Sequence, residues 1–259
     1  MKRLISFILL LACLATTVYA EPLDQEVLLS YYDNSVFFGD SIMQGFRRYR
    51  STVRQTDTDF LESVTVVATS SISLYDGTRR YLNDNVTPFT YRGRARTMYQ
   101  ITKEVKPEKV FILLGLNDPV GIKIDKAIGW VEYAIKWMGE LNPGVEVYFF
   151  SMTPVTAYYC KKRSRPRYPE QVDQYNVRLQ ETCEKNGVHY INICDALKDE
   201  DGYLAKPYTS DSDCHLSDEG VQIWLKAMCD YAQSQYDQGL WTPASLITAA
   251  EEAQPTDAE

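Results

Sequence analysis

The chain has 259 residues, among them two His and six Cys, with 27 Lys and Arg against 35 Asp and Glu and a hydrophobic content of 45%. Apolar content at that level excludes a disordered or collagen-like chain, and the length suits one α/β domain or two small ones. A formal charge of −8 disfavours non-specific binding to nucleic acid or anionic lipid, so no nucleic-acid partner is expected.

Residues 1–20 read as a signal peptide. Lys2 and Arg3 make a short positive start, Leu4 to Ala15 is almost wholly apolar, and Val18-Tyr19-Ala20 gives a small-x-small cleavage pattern after Ala20. The apolar run is short for a bilayer, so no stable membrane span is expected after cleavage, and the chain reads as exported. Leu10-Leu11-Ala12-Cys13 loosely resembles a bacterial lipoprotein box, with Leu11 a poor fit, which makes anchoring through Cys13 the lesser alternative to release. Loss of Lys2 and Arg3 deepens the net charge to −10. Five cysteines then remain: Cys160, Cys183, Cys194, Cys214 and Cys229. An odd number cannot all pair, and none has CxxC spacing, so buried thiols rather than a zinc site are expected. One disulfide involving Cys160 or Cys214 is the alternative, since export permits it.

Strand-like and helical patterns alternate along the chain. Ser35-Val36-Phe37-Phe38 stops at Gly39, and Val64 to Ala68 is a second run. Val110 to Leu114 is continuous and apolar, as in a strand buried on both faces. Ile124, Ala127, Ile128, Val131, Ile135 and Met138 recur at three- and four-residue steps, one buried helical stripe. A fourth strand follows over Val145 to Phe150. Val172, Tyr175, Leu179 and Cys183 predict a helix stopped by Asn186-Gly187, ahead of a fifth strand over Val188 to Ile193. Val221, Trp224, Leu225 and Met228 mark a last helix with Ser217 as N-cap. This order predicts a parallel sheet covered on both faces. One domain over 21–240 is expected, followed by an acidic disordered tail over 241–259.

Such sheets bind ligands at the carboxyl ends of their strands. After the first strand stands Gly39-Asp40-Ser41, where Ser41 opens a helix with its own N–H aimed into the site and a dipole that favours negative charge. After the third stands Gly115-Leu116-Asn117-Asp118, where Gly115 permits a tight turn and Asn117 offers an amide donor of the kind an oxyanion requires. His189 falls inside an alternating strand and reads as structural. His215, in the loop Asp211-Ser212-Asp213-Cys214-His215, is flanked by carboxylates as a general base should be.

Taken in order, Gly39-Asp40-Ser41, Gly115-x-Asn117-Asp118 and the His215 loop resemble the SGNH hydrolase superfamily, also called GDSL esterases or lipases. The resemblance spans about residues 33–236 and extends to Ser151-Met152-Thr153-Pro154-Val155. It implies a three-layer α/β/α flavodoxin-like fold with five parallel strands in the order 2-1-3-4-5. It also implies a Ser/His/Asp mechanism without metal or organic cofactor. Ser41 would attack an ester carbonyl and His215 would take its proton. The Ser41 N–H, a backbone N–H after the second strand and the Asn117 side chain would hold the oxyanion, with Gly39, Asp40, Gly115 and Asp118 in support.

Two positions depart from the family pattern. The acid normally three residues before the histidine is here Ser212. Asp211 lies four before and Asp213 two before; helical spacing favours Asp211, with Asp213 the alternative. No glycine follows the second strand before Gly77, and Ser70 is the candidate for its oxyanion N–H.

The substrate is less legible. Lys161 to Arg167 carries five cations in seven residues and reads first as a solvated loop, second as a grip on an anionic glycan or lipid headgroup. Trp130, Trp137 and Trp224 lie on expected helices and read as packing. By family analogy the substrate is a small-molecule or glycan ester, with short acyl groups, acetyl among them, removed from carbohydrate or cell-envelope material. An O-acyltransferase on the same chemistry and a catalytically weak binding protein remain the alternatives. Nothing in the sequence sets an oligomeric state.

Overall fold

The computed structural model describes residues 22–118, 123–162 and 168–252; the expected leader with Cys13, positions 163–167 of the basic loop and the end of the acidic tail lie outside the described residues. In chain order the elements are α1 (Gln25–Leu29), β1 (Ser35–Gly39), α2 (Ser41–Val53), β2 (Thr65–Ala68), α3 (Leu74–Gly77), β3 (Phe89–Tyr91), β4 (Arg94–Arg96), α4 (Met98–Val105), β5 (Lys109–Leu113), α5 (Ile124–Leu141), β6 (Glu146–Phe150), α6 (Ala157–Lys162), α7 (Pro169–Asn186), β7 (His189–Ile191), α8 (Asp218–Asp237) and α9 (Ala244–Glu252). The main sheet is wholly parallel, in the order β2-β1-β5-β6-β7, which is the expected five-strand order. Helices α1, α2 and α8 pack together as one outer layer, and α4, α5 and α7 as the other.

Strand β1 shows why its sequence is apolar at every position. Successive side chains point to opposite faces. Phe37 meets Phe46 and Phe150, which pack on Trp224 of α8, whereas Phe38 meets Phe89 on the other face. Both rings are fully buried, each contributing about 1.5–3 kcal/mol. The register pairs Gly39 with both Ala68 and Leu113. That levels the carboxyl ends of β2, β1 and β5, and the residues just beyond them become neighbours.

Three local outcomes follow from the expected signals. Ser217 caps α8 by accepting from the Gly220 N–H, and Gly187 ends α7 in the left-handed conformation. All five cysteines after the expected cleavage point are buried and lie outside any disulfide among the described residues, so the disulfide alternative is not realised.

The structure adds helices α1, α3, α4 and α6 to the expected elements and departs from expectation in two further places. Tyr91-Arg92-Gly93-Arg94 makes a hairpin, with Arg92 and Gly93 both at positive φ as a two-residue turn requires. The stretch expected to be a disordered tail from residue 241 instead begins with Trp241, whose ring meets Tyr31 edge-on at 5.1 Å, and continues into α9. The reason is local. A large aromatic finds an apolar partner, and the Ala-rich Ala244–Glu252 segment has high helix propensity.

Candidate active site

The site begins where β1 turns into α2. A Cβ at position 39 would lie 2.4 Å from Met43 Cβ and 3.0 Å from the Leu113 carbonyl oxygen, so only glycine allows the strand to enter the helix this closely. Asp40, 1% exposed, is the N-cap. Its Oδ1 accepts from the Ile42 N–H at 2.9 Å and its Oδ2 accepts from Asn117 Nδ2 at 2.8 Å. Burial pushes the Asp40 carboxyl up to about 7, against the pull of the Ile42 N–H, the nearby His215 and Asn117. With Asp40 capping, Ser41 is the first helical residue and is free to point at the histidine loop.

His215 Nε2 lies 2.9 Å from Ser41 Oγ. Its Nδ1 hydrogen-bonds Asp211 Oδ2. Of the two candidate acids, Asp211 is therefore the one on the ring. The loop geometry explains this. Ser212 has φ of +60°, a left-handed conformation that folds the Asp211 carboxylate back beneath the residues that follow it. Asp211 Oδ1 then accepts from the Asp213 N–H at 2.8 Å and the His215 N–H at 3.3 Å. Burial opposes its charge, but the His215 ring and these backbone N–H groups hold the carboxyl below its ordinary range. Asp213 faces elsewhere: its Oδ2 is 3.4 Å from Lys162 Nζ on α6. Thr156 clamps the same loop, its N–H on the Asp213 carbonyl at 3.0 Å and its hydroxyl on the Ser212 carbonyl at 2.6 Å.

On the other flank, Gly115 has φ of +130° and a Cβ there would lie 2.8 Å from Met152 Cε. This turn delivers Asn117 and Asp118. Asn117 Nδ2 bonds Asp40, with a second, longer contact of 3.4 Å to the Ile72 carbonyl. Asp118 is buried and accepts the N–H groups of Leu74 at 2.8 Å and Tyr75 at 3.2 Å, which pins the loop after β2 beside Asn117. Ser70 lies in that loop, exposed, with its hydroxyl donating to Gln44 Oε1 of α2 at 2.7 Å. Ser71 takes the strained positive φ of 58° in this turn.

Sequence reasoning missed several supports. Gln44 ties Ser70 to the serine helix. Asn176 of α7 grips both backbone groups of Met152, at 2.8 and 3.0 Å, and Ser151 Oγ accepts from Ile193 N and Cys194 N at 2.9 Å each. A buried polar residue on the apolar stripe of α7 was the available signal for Asn176. His189 lies in β7, apart from this constellation. Trp224 is buried as expected, but Trp130 and Trp137 are only half-buried. Among the described residues, Asp173, Cys194 and Asp195 are grouped closely enough to hold a cation, but Lys198 Nζ bonds both carboxylates at 2.6 Å and supplies the positive charge itself.

This fold, with a serine, a histidine and an acid in line at the carboxyl end of its sheet, defines an α/β serine-hydrolase-like protein. The model of the GDSL-like lipase/acylhydrolase family matches residues 37–223, and the chain belongs to that family, hydrolases that act on ester bonds. Solved structures share the fold at low identity. A GDSL-like lipase from Bacteroides thetaiotaomicron aligns with a TM-score of 0.59 at 18% identity, over 83% of this chain and 92% of that one. An acetylxylan esterase from Geobacillus stearothermophilus aligns at 0.53 and 14%, over 77% and 94%. The periplasmic domain of a lipopolysaccharide acetyltransferase from Salmonella ser. Paratyphi A aligns at 0.51 and 15%, over 77% and 83%. No curated protein matches the chain. Among the described residues, no helix is long and apolar enough to cross a membrane.

Proposed function

We propose that this chain is an exported serine esterase that cleaves short-chain esters, acetyl esters first, on carbohydrate or cell-envelope material. The observation that carries the reading is the unbroken hydrogen-bonded line Asp211–His215–Ser41. With the His215 Nδ1–H held by Asp211, Nε2 is the acceptor and Ser41 Oγ–H the donor. Ser41 Oγ attacks the ester carbonyl as its proton passes to Nε2. The tetrahedral oxyanion is met by the Ser41 N–H at the start of α2, the Ser70 N–H and the Asn117 amide, which exchanges its long contact with Ile72 for the oxyanion. His215 then returns the proton to the leaving alcohol, leaving acyl-Ser41. Water attacks, gives its proton to Nε2, and the carboxylic acid departs as Ser41 recovers its proton.

The His215 and Asp211 side chains are 42% and 38% exposed, an open rim that suits esters carried on bulky polar material better than long buried acyl chains. Export is supported by the leader pattern of residues 1–20. The test is hydrolysis of p-nitrophenyl acetate, butyrate and octanoate by the mature chain beside Ser41→Ala. The expected result is turnover that falls with acyl length and vanishes in the variant. Equal, negligible rates in both proteins sink the esterase reading. A saturable sugar acceptor that diverts product from acid to ester would replace it with an O-acyltransferase on the same serine.

A further inference from the structure

Aromatic rings of α5 and the neighbouring Tyr75 carry two arginines. Arg79 and Arg80 follow α3 and lie on the outer face of α5. The Arg79 guanidinium is 3.9 Å from the Tyr75 ring centroid and 5.3 Å from that of Tyr133, with its Nε donating to the Tyr75 carbonyl at 3.2 Å. The Arg80 guanidinium is 3.8 Å from the Trp137 ring centroid. Neither has a carboxylate partner among the described residues, in a chain where acidic residues outnumber basic ones.

A guanidinium held against an aromatic ring spends its face on the ring and keeps its in-plane N–H fork for an anion. It is also pre-ordered, so little side-chain entropy is lost on binding. Tyr133 and Trp137 are four residues apart, so the two forks stand about one helical turn from each other. The strip is continuous with the proposed site. Its upper end is Tyr75, packed edge-on against Trp130 at 5.1 Å, and the Tyr75 N–H is held by Asp118, the neighbour of Asn117. From Trp130 to Trp137 it descends α5 by about 10 Å.

We propose that Arg79 and Arg80 form an anion subsite for an acidic polysaccharide, gripping carboxylate or phosphate groups along the glycan while an ester farther along the same chain reaches Ser41. The inference deepens the esterase reading and rests on it for the polymer being a substrate. A glycan is favoured over a membrane because the large apolar side chains exposed beside the strip among the described residues, Tyr75 and Tyr81, carry hydroxyls and offer nothing aliphatic to insert into lipid.

The test separates binding from turnover. In the Ser41→Ala background, affinity electrophoresis through unacylated polygalacturonate and through phosphorylated dextran reads which anion is held, with neutral dextran as reference. Retardation by an acidic glycan, lost with salt and weakened about tenfold in Arg79→Gln/Arg80→Gln, is the expected result. Arg79→Lys/Arg80→Lys should recover only part, since lysine keeps the charge and loses the fork. With acetylated polygalacturonate and an active Ser41, the Gln variant should raise KM about tenfold at unchanged kcat. Equal retardation of the parent and the Gln variant, equal retention on neutral dextran, or arginine-dependent binding to phosphatidylglycerol vesicles instead of glycan each overturns the proposal. Unfolding midpoints equal to the parent's exclude a folding defect. Absence of p-nitrophenyl acetate turnover in the chain with Ser41 intact would sink the esterase reading alone, because the binding arm needs no catalysis.

Discussion

The two histidines stand at opposite ends of the same sheet, and their surroundings differ in kind. His189 opens β7, stacked on Tyr148 at 4.2 Å with 13° between the planes, its Nδ1 3.1 Å from the Tyr231 hydroxyl. Tyr148 in turn donates to Glu146 at 2.5 Å and lies 2.7 Å from the Tyr31 hydroxyl. Burial lowers the His189 imidazole, Glu146 opposing and Lys109 adding to the effect. A neutral ring used as a packing plate results. His215 lies in a loop at the carboxyl end, with a carboxylate on one nitrogen and a serine hydroxyl on the other. A histidine acts as a base when both its nitrogens have directional partners of the right kind, and as a wall when its faces do.

The largest effects should fall on the His215 side of this comparison. His215→Ala is expected to lower kcat by about 10⁶-fold on p-nitrophenyl acetate, as removal of a triad histidine does elsewhere. Next comes the acid. Asp211→Asn should cost about 10⁴-fold in kcat/KM by spoiling the tautomer, whereas Asp213→Asn, which touches Lys162 rather than the ring, should cost less than about threefold. The reverse order would reassign the orienting acid. Asn117→Ala should lower kcat by about 10²–10³-fold, and an effect under about threefold would remove it from the oxyanion site.

Asp40 gives a smaller effect, read in stability. Its folded carboxyl is raised to about 7, so between about pH 4 and 7 the native state holds a proton that the unfolded chain has released. Its contribution to stability therefore falls as pH rises through that window, by up to about 4 kcal/mol. Asp40→Asn removes the slope. The variant's urea midpoint relative to the parent should climb from pH 4.5 to 7.5, and a constant difference would contradict the raised carboxyl. His189→Ala closes the series. It should leave kcat/KM within about threefold while costing about 1–3 kcal/mol of stability. A loss of activity matching that of His215→Ala would break the comparison outright.

Much of the frame was legible because it rests on short-range patterns. The continuous apolar run ending at Gly39, the three- and four-residue stripe from Ile124 to Met138, and Ser217 ahead of Val221 each follow from local geometry and burial. So did the approach of Ser41, Asn117 and His215 to one end of the sheet, since each follows a strand or precedes a helix whose direction the alternating pattern sets. The hairpin at Arg92-Gly93 is marked only by a two-residue turn between short strands, and Trp241 opens a stretch whose composition reads as a tail although its ring packs on Tyr31.

What the sequence alone determined was therefore the class of fold, the strands' order through the family resemblance, and the residue types gathered at the carboxyl ends. The tertiary structure decided the pairings. Asp211 rather than Asp213 reaches His215 because one residue, Ser212, adopts a positive φ that no spacing rule reports. Asp40 grips Asn117 across 77 positions, and Asp118 holds Leu74 across 44, because strand register levels their loops. Trp130 and Trp137 sit at the border of the core, with Arg80 from another loop laid over Trp137. Propensity and periodicity act over a few residues, whereas hydrogen bonds and stacked rings depend on positions to within ångströms, and that precision exists only after the chain has packed.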